Sequence, residues 1–113
     1  MPSSEVRGRV TLEDASRKAD QAPKRFAGVF AHGTLEVEFY APRGVDPQKP
    51  HTRDEIYVVA RGSGWFRSGP ARDHVQAGDF LFVPAGMEHR FEEFSDDFGA
   101  WVFFYGPEGG ETP

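Results

Sequence analysis

The 113-residue chain carries 13 basic and 18 acidic side chains, a net charge of −5, and no cysteine. At this length a single hydrophobic core is expected, and the lack of cysteine excludes disulfides, thiolate metal sites and cysteine nucleophiles. No stretch approaches the roughly 18 apolar residues of a membrane span and "MPSSEVRGRV" has no apolar signal region, so the expectation is a cytoplasmic protein with no membrane partner.

The charge is unevenly spread. Residues 1–25 hold six basic and four acidic side chains, and residues 26–113 hold seven and fourteen. The body is therefore acidic, and it lacks the basic face that phosphates require, which excludes nucleic acid as a main partner. Phenylalanine occurs 11 times, enough to supply a core, an aromatic pocket wall or an apolar interface.

In chain order, residues 1–25 form an N-terminal extension. Within it "TLEDASRKA" reads either as a short helix, with Thr11 as N-cap and Asp14 three residues on, or as a mobile leader. From Phe26 to the end the pattern is that of one all-β domain. "TLEVEFY" alternates Leu35, Val37 and Phe39 with Glu36 and Glu38, the period of a half-buried strand. "EIYVVA", "GWFR", "HVQAGD", "DFLFVP", "HRFEEF" and "AWVFFY" follow, separated by glycine and proline turns. Short strands at this spacing indicate a sandwich or barrel, and runs apolar at every position, such as Phe80 to Val83, suggest burial on both faces.

Ionisable residues on such strands are the candidates for chemistry. His51 and Glu55 lie four apart, which places them on one face of an extended strand, and His89 opens the strand after Pro84-Ala85-Gly86. Two histidines and a carboxylate on one cavity would make a metal site with open positions. His32, beside Gly33, and His74, in the polar "ARDHVQ" stretch read as a turn, are expected in solvent. No Ser/His/Asp set, phosphate loop or nucleotide fingerprint is present.

"GDFLFVPAGMEHRFEE" resembles the second motif of the cupin superfamily, with Gly78, Pro84, Gly86 and His89 in step and Glu93 where asparagine is usual. "KPHTRDEIYVVARG" resembles the first motif, with His51 as its second histidine, Glu55 as its glutamate and Gly62 as its closing glycine. The family's first histidine falls on Lys49, a poor ligand because its ammonium repels a cation. Gln48 can substitute through its amide oxygen, but it is one residue out of phase and needs a bulge.

The resemblance implies a small single-domain, RmlC-like cupin: a double-stranded β-helix, or jelly-roll barrel, with residues 1–25 as a short extension. It also implies one divalent metal, iron, manganese, nickel or zinc, on His51, Glu55 and His89 in the barrel mouth. By strand period Phe91 and Glu93 share the face of His89, and Arg53 and Tyr57 that of Glu55, as pocket or supporting residues alongside Gln48 and Lys49. Three functions follow: a metal-dependent enzyme on a small organic molecule, a non-enzymatic small-molecule binding or sensing module, or a metal-free barrel in which the three residues form a polar cluster. A homodimer is expected, with the segment before Phe26 as a candidate crossover onto the partner.

Overall fold

The computed structural model describes residues 8–113, so the first seven residues of the N-terminal extension lie outside it. Thr11 starts the first element: its backbone is extended and its hydroxyl accepts the Asp14 N–H at 3.1 Å, satisfying one donor that the helix start leaves free. Helix α1 spans Leu12–Gln21, with Glu13 and Asp14 in its first turn complementing the positive end of the helix dipole. Ala15, Ser16 and Ala19 are buried. These small side chains let the helix pack closely against Val29, Val37 and Phe39.

Eight strands follow: β1 (Phe26–His32), β2 (Leu35–Tyr40), β3 (Asp54–Arg61), β4 (Ser63–Ser68), β5 (Ala71–Gln76), β6 (Phe80–Val83), β7 (His89–Glu92) and β8 (Gly99–Tyr105). They form two antiparallel sheets, one ordered β1-β2-β8-β3-β6 and one ordered β5-β4-β7. This is the expected jelly-roll architecture. The core between the sheets is Tyr57, Val59, Phe66, Phe91, Phe98 and Val102 with their neighbours, and its aromatic pairs are closely set: Tyr57 to Phe91 at 5.0 Å and Phe91 to Phe98 at 4.7 Å between ring centroids.

A second cluster fills the outer face of β1, β2 and β8 under α1, where Phe39 meets Trp101 edge-on at 5.2 Å. Both faces of β8 are therefore covered, which explains why "AWVFFY" is apolar throughout. The same reading fails for Phe80 to Val83. Strand β6 is the edge of its sheet, beyond the reach of α1, and Phe80 and Phe82 are 64% and 49% exposed while Val83 points inward. The stretch around His74, read both as the start of a strand and as a polar turn, is strand β5, paired only with β4. Its polarity reflects an outer edge position, and His74 is exposed as expected, as is His32. Strand β1 was not singled out, because Ala27, Gly28 and Ala31 dilute its β signal.

Gly62 closes the tight connection between β3 and β4 at φ +76, and a Cβ there would meet Ser95 Oγ and, at 2.8 Å, the Phe98 backbone. Gly86 has φ +81 but open space around it. Gly62→Ala should therefore destabilise the protein by about 2–4 kcal/mol, through strain and overpacking together, and Gly86→Ala by about 1–2 kcal/mol through strain alone. Urea unfolding of the two variants measures the ranking, and equal losses would show that the Phe98 contact gives way freely.

Candidate metal centre

The two sheets face each other at the barrel mouth, and each supplies part of the site. Glu55 stands on β3 with its side chain inward, 1% exposed, and His89 opens β7 on the opposing sheet, 2% exposed. His51 lies in the loop before β3, which starts only at Asp54. Its proximity to Glu55 thus comes from the fold of that loop and not from strand period. His51 Nε2 is 3.9 Å and His89 Nε2 is 3.2 Å from Glu55 Oε1, and the three ligand atoms lie within 4.8 Å of one another.

Hydrogen bonding shows what this cluster lacks. His89 Nδ1 lies 2.8 Å from the Met87 carbonyl oxygen, to which it donates, so in the neutral ring the lone pair is on Nε2, on the side of Glu55. Tyr57, fully buried, donates its hydroxyl to Gln48 Oε1 at 2.9 Å, and its oxygen is 3.2 Å from His89 Nε2. Having one proton, Tyr57 cannot also serve the imidazole. Glu55 Oε1 is buried without any hydrogen-bond partner among the described residues. Burial first, then the charge of Glu55, keep the Tyr57 hydroxyl well above its ordinary pKa and hence protonated. Burial alone would lower the His89 pKa, but the Glu55 carboxylate and the Met87 carbonyl outweigh it and raise it. Lone pairs from an imidazole and a carboxylate thus converge where donors are scarce, and this donor set fits a divalent cation.

The site opens into a cavity of about 870 Å³ lined by His51, Glu55, Tyr57, Gln48 and Lys49, with apolar walls from Val102 and Phe104. Of the other expected residues, Phe91 belongs to the core beneath the site at 1% exposure. Arg53 turns outward, bonding Glu36 Oε1 at 2.5 Å and the Gly106 carbonyl at 3.0 Å, because it precedes the strand whose period was applied to it. Glu93 also points away. Strand β7 ends at Glu92, Glu93 takes φ +46, and its carboxylate pairs with Arg72 at 2.6 Å.

Three acids escaped the sequence reading. Asp46, 2% exposed, accepts from the Tyr40 hydroxyl at 2.5 Å and from the Phe91 N–H at 2.8 Å. Asp54 accepts the N–H of Ala85 at 2.9 Å and of Glu111 at 2.8 Å, tying the turn before His89 to the C-terminal tail. Glu38 also lines the cavity, and burial, then the charges of Glu55 and Glu36, raise its pKa. Strand alternation sets it on the face opposite Val37 and Phe39, and that face of β2 forms the barrel interior. Its register partner Val102 is also the partner of Tyr57.

The cupin domain family matches residues 36–105, more than half of the chain. The chain is a cupin. A stretch of 63 residues, 56% of this cupin, is 40% identical to the uncharacterized protein SCO3923 of Streptomyces coelicolor and spans 60% of that protein. A cupin 2 conserved barrel domain protein from Rhodopseudomonas palustris shares the fold at TM-score 0.64 and 19% identity, over 74% of this chain and 61% of that one. A cupin 2 conserved barrel domain protein from Salinispora arenicola does so at TM-score 0.63 and 21% identity, over 73% and 75%. At these identities the structures share the fold alone. Among the described residues of this cupin, no helix is long and apolar enough to cross a membrane.

The two backbone donors of Asp54 hold its carboxyl below the ordinary value. Its contribution to stability is accordingly present above the unfolded pKa of about 3.9 and is lost as pH falls through the depressed folded value. Asp54→Ala should leave the barrel folded and speed hydrogen exchange at the Ala85 and Glu111 amides, while unchanged protection would mean that other contacts hold the turn.

Proposed function

We propose that this cupin binds one divalent metal ion through His51, Glu55 and His89 and uses it on a small organic molecule held in the barrel mouth. The observation that carries this reading is Glu55 Oε1, a buried carboxylate oxygen without a hydrogen-bond partner among the described residues, set among two imidazole nitrogens. The bound ion would polarise a carbonyl or activate dioxygen. The chain contributes the rest: Phe104 and Val102 offer an apolar wall to the organic molecule, Tyr57 holds a proton beside the ligands, and Glu38 places a second carboxyl in the cavity. Imidazole with carboxylate suits iron(II), manganese, nickel and zinc.

A second reading, a metal-free binding or sensing module, is favoured by one observation. His89 Nε2 lies 3.2 Å from Glu55 Oε1 and its pKa is raised, so a protonated His89 can neutralise Glu55 without an ion.

The two readings differ in the sign of their pH dependence. A raised His89 pKa contributes stability fully below the unfolded value of about 6.5, and that contribution is lost as pH rises through the folded value. Metal binding displaces the proton, so stabilisation by metal grows with pH. Thermal melts from pH 5.5 to 8.5 should show the metal-free protein weakening as pH rises, and the increment from added manganese or zinc increasing. An increment absent at every pH sinks the metal reading.

Elemental analysis of the untagged protein should find about one ion per chain, lost in His51→Ala and His89→Ala. No metal after incubation with iron, manganese, nickel and zinc leaves the cavity as a binding site for a neutral or charged small molecule.

We also propose a homodimer through the open edge of β6, where Phe80 and Phe82 project beside unpaired backbone groups. An edge of this kind pairs with its own copy in an isologous interface. Light scattering should report a dimer that Phe80→Glu with Phe82→Glu converts to monomer; a wild-type monomer discards the idea.

A further inference from the structure

The family's first histidine position holds Lys49, which is exposed, while the neighbouring Gln48 turns inward. Gln48 Oε1 lies 2.9 Å from the Tyr57 hydroxyl and 3.4 Å from His51 Nε2. The other end of the same amide, Nε2, lies 2.7 Å from Asp46 Oδ2. An ionised carboxylate only accepts hydrogen bonds, so the amide end against it has to be the NH₂ group. Asp46 thereby fixes which way the amide faces, and the carbonyl oxygen is directed at His51.

Asp46 is itself held rigidly. It is 2% exposed, and besides the Gln48 amide it takes the Tyr40 hydroxyl at 2.5 Å, the Gln48 N–H at 3.2 Å and, across the barrel, the Phe91 N–H on β7 at 2.8 Å. The segment carrying Gln48 is not a strand. It leaves β2 through a tight turn in which the Val45 N–H meets the Arg43 carbonyl at 2.8 Å and Gly44 adopts φ +73. Strand phase therefore does not govern it, and a donor one residue early in the chain can still face the site.

We propose that Gln48 Oε1 is the fourth protein donor to the ion, filling the place left by Lys49, and that Asp46 is the positioning residue that aims it. This rests on the metal reading above. The resulting set, two imidazole nitrogens and two oxygens, is harder than a three-histidine set and shifts preference toward manganese and iron(II).

The test is the affinity of the whole chain for manganese(II) and cobalt(II) by chelator competition, with the cobalt absorption spectrum and the melting of the metal-free protein recorded alongside. Gln48→Met keeps the length of the side chain and removes its oxygen; it should weaken binding by roughly ten-fold or more and alter the cobalt bands. Asp46→Asn, which lets the amide turn over, should shift both readouts the same way by a smaller factor. Wild-type affinity and an unchanged spectrum in Gln48→Met overturn the proposal, whatever happens to metal-free melting, because Gln48 would then be structural. An effect of Gln48→Met without one of Asp46→Asn overturns the positioning role alone. A wild type that binds neither ion overturns the metal reading, and this proposal with it.

Discussion

Glu55 is a carboxylate 1% exposed to solvent, with an oxygen that has no hydrogen-bond partner among the described residues unless His89 is protonated, and the arrangement around it is best understood as a means of keeping it there. An unpaired charge in such a setting costs several kcal/mol, and the chain has closed the usual exits. Strand β3 is hydrogen-bonded on both sides, Glu55 opposite Phe104 on β8 and opposite Val83 on β6. A one-residue slip would bring Glu55 out only by exposing Tyr57 and Val59 as well. Two nearby cations are engaged elsewhere: Lys49 is exposed and Arg53 is bound to Glu36 and to backbone carbonyls. Among the described residues, positive charge comes within 4 Å of Glu55 Oε1 as a proton on His89 or His51, or as an ion shared with them.

The loops that surround this carboxylate are held by other carboxylates. Strand β7 is the edge of its sheet, paired only with β4, and the N–H of Phe91 on its open side would go unpaired without Asp46. Asp46 therefore caps a sheet edge and anchors the segment carrying Gln48 in one contact. Asp54 does the same for the turn before His89, joined there by the Gly86 N–H bound to the His51 carbonyl at 2.7 Å. Part of the acidity that reads from composition as surface charge thus consists of buried acceptors for backbone donors. Two of the three candidate ligands hang on these bonds, His51 through its own carbonyl and His89 through the turn that precedes it.

Where local chemistry decides the structure, the sequence was readable. The β-branched and aromatic runs of β2, β3 and β8 and the turn at Pro84 to Gly86 depend on near neighbours, while the grouping of His51, Glu55 and His89 was suggested by a known motif and not by strand period. What escaped depends on distant partners or on where an element stops. Asp46 looks like a turn residue between Val45 and Pro47, and its use is set by Phe91, 45 positions away. Glu93 was placed on the face of His89 by extending a period one residue past the end of its strand. The place of Glu38 was not legible because alternation separates two faces without saying which is inside, and here α1 covers the apolar face while the polar one looks into the barrel.

That inversion on β2 also changes how the N-terminal extension relates to the barrel. Arg25 stands just before β1 in the left-handed region at φ +67, a conformation that costs a non-glycine residue about 1–3 kcal/mol. Its guanidinium offsets this by bonding the Asp20 carboxylate at 2.7 Å, the Asp20 carbonyl at 3.1 Å and the Ala41 carbonyl at 2.9 Å. The Arg25 amide carbonyl in turn receives the Ala41 N–H at 2.9 Å. The end of α1, the start of β1 and the end of β2 are thereby clamped together, and the clamped residues Pro23, Lys24, Arg25 and Phe26 form one wall of the cavity that holds Glu38 and Glu55. The helix lies outside the barrel, yet the wall it fixes belongs to the site. The described part of the extension and the barrel meet at this cavity, the first supplying a wall and the second the candidate ligands.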